Sequence, residues 1–88
     1  FRPRLVVVFS SYNGGMHVIG AMTTVDQVSV AQYTTNSNIS TSAVLYEPEY
    51  GSGVQTGVYV SMDSDGFTIN FDNSGYMLGD TIAYIAFQ

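Results

Sequence analysis

The chain has no cysteine, no tryptophan and no lysine, and its only two cations, Arg2 and Arg4, sit together at the start. Without cysteine there is neither a disulfide framework nor a thiolate metal site. Cys/His nucleophilic catalysis is excluded for the same reason, and the lack of lysine excludes Schiff-base chemistry. Two cations against seven acids leave a net charge of −5. Binding nucleic acid requires a Lys/Arg footprint to neutralise phosphates, so no nucleic-acid partner is expected. An anionic membrane surface is excluded on the same ground. The longest apolar run, Leu5-Val6-Val7-Val8-Phe9, is far short of the roughly 18 residues of a membrane span, so no membrane insertion is expected. It is also too short for the core of a signal peptide, and Ser10-Ser11-Tyr12-Asn13 follows where a cleavage site would lie.

What is present points to one ordered domain spanning 1–88. At 88 residues a single domain is the ceiling, and a hydrophobic content of 45% argues against disorder. Residue 1 is Phe, not Met, so the chain is expected to be a fragment of a longer polypeptide.

Short β-type runs recur, punctuated by Gly, Asn, Asp and Ser. Leu5 to Ser10 is a β-branched and aromatic run, Asn13-Gly14-Gly15 gives a hairpin signal, and Met16 to Met22 is the expected return strand. Gln27 to Tyr33 alternates, with Val28 and Val30 on one face and Ser29 and Ala31 on the other. Residues 34–38 read as a polar loop and Thr41 to Tyr46 as the next strand. Pro48 and the following glycines are expected to break that strand, because proline cannot donate to a ladder. Val58, Val60 and Met62 alternate with Tyr59 and Ser61. After the Asp63-Ser64-Asp65-Gly66 turn, Phe67, Ile69 and Phe71 share a face, and Thr81 to Phe87 closes the chain. The pattern predicts an all-β fold, an antiparallel, jelly-roll-like β-sandwich of about seven strands. Its expected core is Val6, Val8, Val58, Val60, Phe67, Ile69, Ile82 and Ile85.

Catalytic chemistry finds little to use. His17 is the one histidine, and no serine lies in a G-x-S-x-G elbow. Placed between Met16 and Val18, His17 reads as a partly buried or edge imidazole. Asp63 and Asp65 offer two carboxylates, but Asp-x-Asp-Gly is also what a tight turn demands, and the remaining ligands of a calcium loop are missing. No catalytic residue, metal site or cofactor is expected. Glu47 and Glu49, flanking Pro48, read as solvated loop acids.

Seven tyrosines are unusual in so short a chain. Tyrosine gives flat, amphipathic contact area at low entropic cost. Beside acids and Asn it makes the composition of a sugar-binding surface, with ring stacking and acceptors for hydroxyls. Two segments, 46–53 and 72–80, combine these residues. Tyr46, Glu47, Glu49, Tyr50, Asp72, Asn73 and Tyr76 are therefore the candidate receptor or glycan contacts. The low charge of 10%, against about 25% in ordinary domains, also leaves few gatekeepers against edge pairing. A homo-oligomer is expected.

Phe1-x-Pro3-Arg4-Leu5-Val6-Val7-Val8 opens the chain. Asp65-Gly66-Phe67-Thr68-Ile69 and a loop carrying Gly75 and Gly79 lead to Ile82-Ala83-Tyr84-Ile85-Ala86-Phe87. Together these segments resemble a β-sandwich domain near the C-termini of minor structural proteins of tailed bacteriophages and prophages, in tails, fibres and baseplates. There a stretch like G-F-x-P-K-x-V-x-V begins the domain, and D-G-F-T-V leads to Y-x-Y-I-A-I/F. Arg4 stands where Lys is commoner, and residues 20–57 match in texture alone. The resemblance implies an extracellular, non-enzymatic virion domain of a tail or fibre that contributes to host-surface attachment. Its implied partners are its own copies, most often as a trimer, other virion proteins and a host-surface glycan. The alternatives are a purely structural virion module (capsid decoration, head-fibre knob or spacer) and a carbohydrate-binding module of a secreted bacterial protein.

Overall fold

The computed structural model describes residues 1–12, 16–32, 37–49, 53–75 and 81–88. They form eight antiparallel strands: β1 (Leu5–Tyr12), β2 (Met16–Met22), β3 (Gln27–Gln32), β4 (Ser37–Ser40), β5 (Leu45–Glu49), β6 (Gly53–Asp63), β7 (Gly66–Gly75) and β8 (Thr81–Phe87). No helix occurs among the described residues. A large sheet has the order β4-β3-β2-β1-β8, and a small sheet the order β5-β6-β7. The sandwich is thus all-β and antiparallel, as the punctuation pattern predicts. Its path differs from a jelly roll: four consecutive strands fill the large sheet as a meander before the chain crosses to the small sheet and returns as β8 beside β1. The Asn13-Gly14-Gly15 hairpin signal lies outside the described residues.

Val6 and Val8 of β1, Val18 and Met22 of β2 and Ala31 of β3 point inward from the large sheet. Val44, Leu45 and Met62 meet them from the other side. Tyr59, Phe67, Ile69 and Ala86 pack around this core. At its centre Gly20 admits no side chain, because a Cβ there would collide with the carbonyl oxygen of Val44. Small inward residues on β2 and β3 (Gly20, Ser29 and Ala31) therefore let the chain around β5 come down close to the large sheet. Val44 itself is held by its N–H, which donates to the Gly57 carbonyl at 2.8 Å.

Several expectations are corrected. Residues 37–40, of which 37 and 38 fall in the predicted polar loop, form an eighth strand, β4, paired to β3. The strand expected over 41–46 starts later, at Leu45, and runs through Pro48 to Glu49. Proline is tolerated because β5 is the edge of the small sheet, where one side of the strand needs no ladder donor. Val60 is 52% exposed, not buried. A bulge between Tyr59 and Ser61 leaves it without a partner on β7 and reverses the parity of β6, so that Tyr59 and Met62 both face the core. Val58 is only half-buried. Ile85 is exposed because it points out of the large sheet opposite Val7, and Ile82 because the inner side of the edge strand β8 is covered chiefly at Ala86. Near it the Phe67 and Tyr84 rings meet edge to face, 4.9 Å between centroids.

Candidate functional site

The outward face of the small sheet mixes polar side chains with Val54 and Val58, whereas that of the large sheet is mainly apolar. On the small sheet, Leu45 and Glu47 are buried, so Tyr46 between them points outward. The register places Tyr46 opposite Thr56, and Thr56 opposite Asp72. One transverse row thus carries an aromatic ring, a hydroxyl and a carboxylate across three strands, about 10 Å from end to end. Asp72 is exposed, and Tyr46 and Thr56 are half-buried. Asn70, Ser61 and Thr68 continue the polar character along this face.

Of the seven candidate contacts, the structure brings Tyr46 and Asp72 together in that row. Glu47 is corrected outright: it is 0% exposed and accepts a 2.6 Å hydrogen bond from Ser10 Oγ, so it is a buried strand residue and no solvated loop acid. Glu49 lies on the edge strand with its backbone opposite Gly53, and Asn73 stands opposite Gln55 in the same transverse row as Glu47. Tyr50 and Tyr76 lie outside the described residues. Thr56, which no local motif marks, enters the row through register alone; only the pairing of β5, β6 and β7 reveals it.

The other chemical candidates resolve into structural roles. Asp63 accepts 2.8 Å hydrogen bonds from Ser61 Oγ on Oδ1 and Thr68 Oγ1 on Oδ2. These two hydroxyls hold its carboxyl below the ordinary 3.8, Ser61 having the larger effect. Both oxygens are thereby engaged in bracing the β6–β7 turn. Among the described residues no three His, Cys, Asp or Glu side chains gather as metal ligands. His17 is exposed, not partly buried: it lies on the outer side of β2, between Ser11 of β1 and Gln32 of β3.

No family model, curated protein or solved structure matches the chain.

Proposed function

We propose that the chain is a non-enzymatic attachment module of an extracellular phage particle, a tail-fibre or baseplate domain that turns its small sheet toward host-surface glycans. The observation that carries this reading is the Tyr46–Thr56–Asp72 row. A tyrosine face stacks on the apolar side of a sugar ring, while hydroxyl and carboxylate oxygens accept from sugar hydroxyls. The sequence resemblance at both ends of the chain supports placing the module in a virion. Such contacts rely on stacking and neutral hydrogen bonds more than on ion pairs, so binding weakens little with added salt.

A second reading, a purely structural virion module, is favoured by the apolar outer face of the large sheet, which suits contact with other polypeptides. Binding of the chain to immobilised bacterial surface polysaccharides separates the two. The attachment reading expects binding that Tyr46→Ala and Asp72→Asn each reduce. The structural reading expects none.

A further inference from the structure

The outer face of the large sheet is apolar across its full width. Ile39, Val30, Ile19, Phe9 and Ala83 form one unbroken transverse row over all five strands. The next row holds Val28, Ala21, Val7 and Ile85, and a third pairs Leu5 with Phe87. These side chains are not core residues that happen to reach the surface: Ile19 is 54% and Ile39 74% exposed. None of the strand residues sharing this face is Asp, Glu, Lys or Arg. His17, in the polar row beyond Ile19, is the one ionisable side chain of this face among the described strand residues.

We propose that this face is the interface with a second copy of the chain, packed sheet on sheet about a two-fold axis. The proposal rests on the reading of the chain as a virion module and adds to it a partner and a surface. Charge permits this partner. The chain carries a net charge of −5, so two copies repel least where they meet on a face whose strands present no carboxylate, and on this face the nearby acid Asp26 lies at the rim beside Ala21 and Val28. Its occupant must itself be apolar and uncharged, and a second copy meets both conditions.

Area is sufficient. With strands about 4.8 Å apart and rows about 6.7 Å apart, the apolar rows cover about 350 Å², and the adjoining polar row of Ser37, Gln32, His17, Ser11 and Thr81 brings the face to on the order of 500 Å² per copy. A pair therefore hides about 1,000 Å², the lower bound for a biological interface. Symmetry then favours two over three. A two-fold pair uses one patch twice, whereas a closed ring of three sets one patch against a different complementary one. The other broad face, on the small sheet, is mixed, with Val54 and Val58 set among Thr56, Asn70 and Asp72. Pairing by the large sheets also leaves both Tyr46–Thr56–Asp72 rows on the outside of a four-layer stack.

Sedimentation equilibrium of the 88-residue chain across a concentration series tests this. The expected result is a species of twice the 9.5 kDa chain mass. Ile19→Lys and Val30→Lys, each placing an ammonium in the centre of the face, weaken association by about a hundredfold or more while the far-UV β spectrum is kept. Asn70→Lys, on the opposite face, leaves the pair intact. A wild-type chain that stays at the monomer mass up to about 1 mM, where even a pair with a Kd of about 1 mM is partly formed, overturns the proposal. So does a trimer mass, or a folded Ile19→Lys or Val30→Lys chain that still pairs. A monomer that binds polysaccharide refutes the pairing alone, and a pair that binds none refutes the attachment reading alone.

Discussion

Ser10, on β1 of the large sheet, donates a 2.6 Å hydrogen bond to Oε1 of Glu47, on β5 of the small one. Both residues are buried, and 37 positions of sequence separate them. The bond is charge-assisted when Glu47 is ionised, and it ties the two layers at a point where neither residue reaches solvent. A second polar tie crosses between the layers at the β6 bulge, where the Tyr59 N–H donates to Gln27 Oε1 at 2.9 Å.

Ser10→Ala removes the donor and leaves a carboxylate oxygen buried with one bond fewer. The expected cost is about 1.5–3 kcal/mol in urea unfolding. Glu47→Gln keeps an acceptor at the same place and should cost less than Glu47→Ala, which also opens a cavity. If Glu47→Ala is as stable as the wild type, Glu47 is not the inter-sheet tie described here.

Gly20→Ala should be among the most damaging single-methyl changes in the chain. The added carbon meets the backbone carbonyl of Val44, which cannot turn aside as a flexible side chain would. The expected loss is about 3 kcal/mol, at the upper end for overpacking a core, read as a lowered urea midpoint. An unchanged midpoint would mean that β5 does not approach β2 so closely.

Met22→Ala and Val60→Thr contrast a core position with the bulge. Met22 is fully buried in the central cluster, so its truncation should cost about 2–5 kcal/mol. Val60, unpaired and exposed, should change stability by less than about 0.5 kcal/mol. Equal losses at the two sites would remove the bulge and restore simple alternation along β6.

That bulge shows where sequence reasoning stops. Most strands are legible because turn residues bound their runs, and Asp63-Ser64-Asp65-Gly66 marks the β6–β7 turn to the residue. Alternation in β6 reads Val58, Val60 and Met62 as one face, but the extra residue switches parity midway, and no local signal announces it. In β3 the valines face outward while Ser29 and Ala31 face in. Alternation gives the two sides of a strand, but hydrophobicity cannot choose the inner one when the outer face is apolar too. Glu47 was hidden by Pro48, a loop signal that an edge strand tolerates. For the candidate site, Tyr46 and Asp72 follow from composition, whereas their meeting through Thr56 depends on register across three strands.

Asp63 gives the pH dependence a sign. Hydrogen bonds from Ser61 and then Thr68 lower its pKa in the folded chain below the ordinary 3.8. The folded state therefore binds this proton less readily than the unfolded one. The associated stability is fully present above the unfolded value and is lost as pH falls through the lowered one. Ser61→Ala should thus destabilise modestly near pH 6, and its difference from wild type should shrink as pH is taken down to about 2. A difference that stays constant over that range would show that the Ser61 hydroxyl does not act through the Asp63 charge.

The central claim is that the outward row of the small sheet is a sugar-reading surface. Its most direct test is the affinity of the 88-residue chain for immobilised bacterial surface polysaccharides, measured for wild type, Tyr46→Ala and Asp72→Asn at low and at high salt. The account predicts wild-type binding that changes little with salt and falls about tenfold or more in each variant, the loss of roughly 1.4 kcal/mol or more expected for a contact residue. Absence of wild-type binding, or equal binding by both folded variants, would contradict it.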